Sequence, residues 1–183
     1  MKKFLITMFA LSVMAGNILA QEAKELSREE RKALQEQLDS LLHVEAMKAV
    51  EAKAFTLEAD QVVFKYGQTA YVNSNTNFVS VTGEDAVVQV AFNIPAAGPN
   101  GLGGVTVDGT VSSYEPKVDK KGNLSLTLNV MGAGISARID IFMPKGTNRA
   151  SVTISPNFNS NRLTLNGVIV PAERSSVFKG RSI

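Results

Sequence analysis

The segment LSLTLNVMGAGISARIDIFM, residues 124–143, decides the fold because apolar and polar side chains alternate through both of its halves. The apolar positions are Leu124, Leu126, Leu128 and Val130 in the first half, and Ala137, Ile139, Ile141 and Met143 in the second. A period of two puts alternate side chains on opposite faces of a strand. Gly132, Ala133 and Gly134 separate the halves as a turn. The segment therefore predicts two antiparallel strands, each with one apolar and one polar face.

The same period continues on both sides of this segment. It predicts short strands at 55–59, 62–66, 69–72, 78–81, 86–92 and 105–112 before it, and further strands around 152–154 and 163–169 after it. Helical patterns do not separate the strands, which excludes a parallel α/β fold. We therefore predict a β domain over residues 55–183, built as an antiparallel sandwich or an up-and-down barrel of about eight strands. Residues 172–180 fit either a short helix or an irregular clasp.

One long amphipathic helix is predicted ahead of the strands, over residues 21–54. Its apolar positions recur at steps of three and four: Leu34, Leu38, Leu41, Val44, Met47 and Val50. Ser27 and Glu30 have capping-box spacing. The fold class is thus mainly β with one long N-terminal helix. We expect the apolar face of this helix to cover an open end or face of the sheet, and the alternative is a free helix that binds a partner.

Residues 1–20 have the pattern of a secretory signal peptide, with Lys2 and Lys3 before an apolar run and Ala20 at its end. The run is shorter than the roughly 20 residues that a membrane-spanning helix needs, and Thr7 and Asn17 interrupt it. We expect a protein that a Gram-negative bacterium exports to the periplasm or secretes. It should have no transmembrane segment once the signal peptide is cleaved.

Composition narrows the function classes. The chain has 183 residues, 44% of them apolar, which suffices for one domain with its own core. The absence of cysteine excludes disulfides, thiol catalysis, a thiolate metal site and a lipoprotein anchor. The formal charge of +2 falls to zero once Lys2 and Lys3 are removed, so a nucleic-acid partner is not expected. We expect no cofactor and no bound metal.

Two asparagine-rich stretches, residues 73–78 and 157–161, and an uncharged Gly/Pro-rich loop at 93–104 are the candidate binding elements. Asparagine donates and accepts hydrogen bonds, so such loops can hold a sugar or a peptide. The candidate ligand-binding residues are Asn73, Asn75, Asn77, Asn100, Asn157, Asn159 and Asn161. The alternative is that these side chains bond their own backbone in turns. A sugar site also needs an aromatic platform, which only Tyr66, Tyr71, Tyr114 and the phenylalanines can supply because the chain has no tryptophan.

The ionisable residues favour a non-enzymatic role. His43 is the only histidine and lies in the predicted helix, without clustered partners for a triad or a zinc site. Asp108 and Asp140 lie on polar strand faces, where carboxylates are usually paired with basic neighbours such as Arg138. A Ser-x-x-Lys match at 176–179 comes too late in the chain for the serine enzymes that carry this motif.

Several segments resemble a family of exported bacterial proteins, found mostly in Bacteroides-like organisms and catalogued as domain-of-unknown-function family 4251. The matching segments are residues 73–81, 98–109, 119–123, 155–161 and 178–182. The resemblance implies an exported envelope protein with a β-rich domain, and it names no catalytic residue.

We therefore favour an exported, non-enzymatic module that binds an unknown small ligand or envelope protein. The alternatives are an envelope hydrolase with an unrecognised site, and a structural or assembly protein that docks through its helix.

Overall fold

The computed structural model describes residues 27–91, 104–158 and 161–182, and the chain divides into two units between Gln35 and Glu36. The first unit contains the start of helix α1 (Arg28–Glu51). There the amide of Ser27 donates to Glu30 Oε2 at 2.8 Å and the amide of Glu30 donates to Ser27 Oγ at 3.2 Å. This reciprocal pair confirms the predicted capping box.

Nine strands and one short 3-10 helix follow α1 within the described residues. The strands are β1 (Ala54–Phe64), β2 (Thr69–Tyr71), β3 (Phe78–Thr82), β4 (Asp85–Ala91), β5 (Gly104–Val118), β6 (Leu124–Met131), β7 (Ser136–Met143), β8 (Arg149–Pro156) and β9 (Leu163–Pro171). The 3-10 helix is Ala172–Arg174. Residues 175–182 then form an irregular clasp, which we call the strap.

The strands form one closed antiparallel barrel. Their order is β2-β1-β3-β4-β5-β6-β7-β8-β9, and β1 also pairs with β9, so eight strands close the barrel. The short β2 pairs with the last part of β1, on the same edge as β3. Leu57 lies opposite Val79 on one side and Ile169 on the other. Of the two predicted architectures, the barrel is the one that forms.

Apolar side chains fill the interior of the barrel. Leu57, Leu128, Ile139 and Leu165 are fully buried, and they belong to one continuous core. Eight strands enclose a space just wide enough for side chains to fill. The barrel interior is therefore a packed core.

The two predicted strands at 55–59 and 62–66 are a single strand, β1. Its register shifts between Ala59 and Gln61, where an extra residue forms a bulge. The buried positions consequently change phase, from Leu57 and Ala59 to Val62. The pattern broke because of the bulge and not because the strand ended.

The helix packs through only the last part of its predicted apolar face, where Val50 is buried and Met47 packs against the core. Leu38, Leu41 and Val44 are 49%, 65% and 46% exposed, and Leu34 is 51% exposed. The buried helical residues are Ala46, Ala49 and Val50. The prediction was wrong for Leu38, Leu41 and Val44, and Ala46 and Ala49 are buried in their stead. From residue 36 onward, α1 covers the barrel end that carries the β7–β8 turn, where the ring nitrogen Nδ1 of His43 lies 2.9 Å from the main-chain oxygen of Thr147.

We expect Val50→Ala to destabilise the protein by about 2 kcal/mol, because Val50 is 1% exposed and its truncation leaves a cavity in the core. Leu41→Ala, on the exposed side of the same helix, should stay within about 0.5 kcal/mol of the parent chain. Urea unfolding of both variants measures the difference. Equal losses would mean that the two faces contribute alike.

Candidate binding surfaces

The strand register places both asparagine-rich stretches at the barrel end opposite α1, which we call the loop end. The ends of β1, β4, β6 and β8 and the starts of β3, β5, β7 and β9 meet there. Residues 73–77 enter β3, and residues 157–162 connect β8 to β9. The Gly/Pro-rich loop and its Asn100 lie outside the described residues, but Ala91 and Gly104 before and after it are paired at this end.

The first asparagine stretch forms a self-bonded turn. Asn73 Oδ1 accepts from the amide of Asn75 at 3.0 Å, and the main-chain oxygen of Asn73 accepts from Asn77 Nδ2 at 2.9 Å. Asn77 is fully buried, and its Oδ1 accepts from the amide of Ala91 at 2.8 Å. Asn73 and Asn77 thus shape the loop end, as an Asx turn and as a link from the β2–β3 connection to β4.

The second asparagine stretch is anchored to the neighbouring turn. Asn157 Nδ2 donates to Ser136 Oγ at 2.8 Å, and its amide donates to the main-chain oxygen of Ser136 at 2.9 Å. Asn159 lies outside the described residues, and Asn161 lies two residues before the start of β9. A ligand-binding role for the seven asparagines stays a prediction.

Exposed aromatic rings stand near these loops. Tyr66, in the β1–β2 turn, is 80% exposed, and Phe158, in the β8–β9 connection, is 86% exposed. Tyr71, at the end of β2, is 85% exposed. Tyr114 is not available as a platform, because its hydroxyl donates to the main-chain oxygen of Val50 and burial raises the pKa of that hydroxyl well above its ordinary range.

A row of outward-pointing side chains crosses the outside of the barrel, with polar residues in its middle and an aromatic ring at each end. Each member lies directly opposite the next on the adjacent strand: Tyr71, Gln61, Asn166, Ser151 and Phe142. Asn166 Nδ2 donates to Gln61 Oε1 at 2.6 Å, and Ser151 Oγ donates to Asn166 Oδ1 at 2.8 Å. Phe142 is 46% exposed. We call this row, with the parallel row described next, the polar face.

The second row of the polar face consists of Thr164, Thr153, Asp140 and Thr127, also in cross-strand register. A hollow of about 270 Å³ lies here, lined by Ser125, Leu126, Thr127, Asp140, Ile141, Phe142, Ser151 and Thr153. Arg138 Nε lies 3.0 Å from both carboxylate oxygens of Asp140, so the charge is balanced. Partial burial alone would raise the pKa of the Asp140 carboxyl. Hydrogen bonds from Arg138 and Thr127 outweigh this effect and hold the pKa below its ordinary value. This confirms the predicted pairing of Asp140 with Arg138.

Asp108 and His43, the other ionisable residues that a hydrolase could use, also have partners. Lys179 Nζ lies 2.7 Å from Asp108 Oδ1, and this contact holds the pKa of the Asp108 carboxyl below its ordinary value. His43 contacts the backbone of the β7–β8 turn. These groups lie on separate strands and a helix, each with its own partner.

A cleft of about 620 Å³ lies between α1 and the 3-10 helix. Alanines at 49, 52, 54 and 172 are among its lining residues, and Glu45, Lys48, Glu173 and Arg174 contribute its charges. Arg174 Nη1 and Nη2 each donate to one carboxylate oxygen of Glu45 at 2.8 Å. The cleft is thus bridged by a bidentate ion pair.

Two kinds of element, a metal site and a membrane-spanning helix, are not found among the described residues. In residues 27–91, 104–158 and 161–182, no three His, Asp or Glu side chains are grouped so that they can hold a metal ion. Within the same residues, no helix combines the length and apolarity that crossing a bilayer requires.

Sequence reasoning missed most of the polar face. Gln61, Ser151 and Asn166 are ordinary outward positions of predicted strands, and nothing local distinguishes them from other solvent-facing residues. The row becomes visible only when the register between the strands is known. The register between β1 and β9 is set when the barrel closes, and the local sequence does not give it.

Comparison with known proteins identifies the family. Residues 37–169 match the profile described as "Domain of unknown function (DUF4251)". The chain is similar to a DUF4251 family protein from Bacteroides eggerthii DSM 20697, known from a crystal structure, with 51% sequence identity and a TM-score of 0.68. The match covers 81% of this chain and 99% of that one. No curated protein is significantly similar to the sequence. The chain therefore belongs to the DUF4251 family.

Proposed function

We propose that the protein is an exported, non-enzymatic binding module that takes a neutral oligosaccharide along its polar face. Export is supported by the signal-peptide pattern at residues 1–20 and places the mature chain, residues 21–183, in the periplasm or outside the cell. The packed barrel interior supports a surface site over an enclosed one.

One observation carries the choice of ligand. The row from Tyr71 to Phe142 has an exposed aromatic ring at each end and amide and hydroxyl groups between them. The two rings are four strand spacings apart, about 19 Å along the sheet. Sugar rings offer apolar C–H faces that pack on aromatic rings, and hydroxyl groups that bond to amides and hydroxyls. The row follows the curved outside of the barrel, so an oligosaccharide that bends around the barrel matches both features over this length.

The charge of the polar face supports a neutral ligand. Asp140, its only carboxylate in the two rows, is bonded to Arg138 and Thr127. An anionic or cationic ligand would have to compete with this pair. The asparagine loops are proposed as a second part of the surface, since Tyr71 lies at the loop end as well as at the end of the row.

The absence of enzymatic activity is supported by the same contacts. His43, Asp108 and Asp140 are the groups that a hydrolase would draw on, and each is bonded to a different structural partner. We therefore favour binding over hydrolysis.

We expect Tyr71→Ala and Phe142→Ala each to weaken binding of a neutral oligosaccharide about tenfold, because each removes a stacking contact of about 1.5 kcal/mol. The measurement is a thermal-shift screen of the mature chain with gluco-, manno- and xylo-oligosaccharides, followed by calorimetric titration of any that bind. Tyr66→Ala is the control, since Tyr66 is equally exposed but lies outside the row.

The controls separate two outcomes. Loss of affinity in Tyr66→Ala but not in Phe142→Ala would move the site to the loop end. No thermal shift with any oligosaccharide, peptide or lipid would overturn the proposal of small-ligand binding.

A further inference from the structure

The strap covers a row of outward-pointing side chains that are nevertheless buried. Glu58, Phe78, Gln89 and Thr106 lie opposite one another on β1, β3, β4 and β5, on the outside of the barrel. Phe78 is 2% exposed, and Gln89 and Thr106 are fully buried. We call this row, together with Asn75 and Asp108, the strap slot.

The slot recognises the main chain of the strap. Gln89 Nε2 donates to the main-chain oxygen of Phe178 at 2.8 Å, and Gln89 Oε1 accepts from the amide of Gly180 at 2.7 Å. The amide of Phe178 donates to the main-chain oxygen of Asn75 at 2.7 Å. The slot therefore bonds to both main-chain groups of Phe178, its amide and its carbonyl oxygen. This is the way in which an extended peptide is bound.

Side chains supply register at the two ends of the strap. Ser175 Oγ donates to Glu58 Oε1 at 2.8 Å, and Lys179 Nζ lies 2.7 Å from Asp108 Oδ1. A peptide shifted by one residue would lose both contacts. The slot is thus specific for this segment while its affinity comes from backbone bonds.

An empty slot is unfavourable. Gln89 Nε2 also donates to the main-chain oxygen of Thr76, and Gln89 Oε1 also accepts from Thr106 Oγ1. Without the strap, Gln89 loses two of its four side-chain hydrogen bonds, and Phe78 is no longer covered. The slot consequently favours occupancy by whichever copy of the strap can reach it.

The strap is joined to the barrel by a defined hinge. Arg174, the last residue of the 3-10 helix, is held to α1 by Glu45, and the next residue, Ser175, is already extended at φ −70° and ψ 136°. Residues 175–182 belong to no strand, so they carry no ladder of sheet hydrogen bonds. The strap is also the last segment of the described chain, and it docks across strands that must pair before the slot exists.

We propose that the strap slot is a binding site for an extended peptide in trans, and that its partner is the strap of a second copy of this chain. Reciprocal exchange remakes every contact of the slot, so the closed monomer and the exchanged dimer differ mainly in hinge geometry and association entropy. The attached strap has an effective concentration in the millimolar range, so the unaltered chain is mainly monomeric at micromolar concentration.

A charge-exchange pair tests this proposal. Asp108→Lys places like charges at the slot and strap within one copy, and Lys179→Glu does the same with the opposite sign. Both side chains are about half exposed, 49% and 46%, so the variants should fold. When the two are mixed, each strap meets an opposite charge only in the slot of the other copy. One variant is labelled with nitrogen-15, so that native mass spectrometry separates the three dimers by mass. We expect the heterodimer to be about tenfold more abundant than either homodimer at low salt.

Two controls decide the result. The double variant Asp108→Lys with Lys179→Glu restores attraction within one copy and should be as monomeric as the parent chain. Adding Gly180→Pro to both single variants removes the amide that Gln89 binds, so the heterodimer should disappear. A heterodimer that survives Gly180→Pro, or a heterodimer no more than about twice as abundant as either homodimer, which is the ratio for random pairing, would overturn the proposal.

Discussion

Replacing Gly167 by alanine should destabilise the barrel by about 3 kcal/mol, because a side chain there cannot be accommodated where the barrel closes. Gly167 lies between Ala59 of β1 and Ala150 of β8. A Cβ on Gly167 would lie 2.0 Å from the main-chain oxygen of Glu58 and 2.7 Å from Ala59 Cα. Both contacts are with backbone, and β1 is paired on both sides, so it cannot retreat without losing hydrogen bonds.

The measurement is the free energy of unfolding in urea, with Gly146→Ala as the control. Gly146 has φ of +80° and no atom within 4 Å of a new Cβ, so its substitution reports backbone strain alone, about 1 kcal/mol. If Gly167→Ala loses no more than the control, close approach of β1 and β9 is not what glycine provides at this position.

Gln89→Leu should cost about 3 kcal/mol, although leucine has nearly the same volume and the residue lies on the outside of the barrel. The substitution removes all four side-chain hydrogen bonds of Gln89 and leaves buried donors and acceptors on β5, the β2–β3 connection and the strap. Unsatisfied buried polar groups cost about 1–3 kcal/mol each, and strap release lets water reach some of them. We also expect faster hydrogen exchange at the amide of Gly180.

Gln61→Leu is the matched control for this variant. Gln61 also points outward from its strand, but its side chain accepts one bond, from Asn166, and remains partly exposed. Its loss should stay near 0.5 kcal/mol. Comparable losses in the two variants would show that the strap contributes little to stability.

The strands and the family were accessible from the sequence. Alternation at Leu124, Leu126 and Leu128 is a local pattern, and the structure places these side chains in the core as predicted. The Ser27–Glu30 cap depends on three residues of separation and forms as predicted. The family resemblance was carried by the loop words and is confirmed by the match over residues 37–169.

The sequence did not predict which residues of the helix contact the barrel. A period of 3.6 identifies the largest apolar side chains, and these include Leu38 and Leu41, which remain about half or more exposed. Of the predicted face only Val50 is fully buried, and Ala46 and Ala49 are buried beside it, because small side chains permit the closest approach of a helix to its partner. Which stripe packs depends on the surface of the partner and not on the helix alone.

The sequence by itself determined that the chain forms alternating antiparallel strands behind one capped helix, because side-chain period and turn chemistry act over a few residues. Tertiary structure alone decided that β1 closes onto β9, that Tyr71 and Phe142 share one row, and that Gln89 is buried on an outward face. These features join residues far apart in the chain. An outward position is buried only when another segment lies over it, and strand alternation contains no information about that segment.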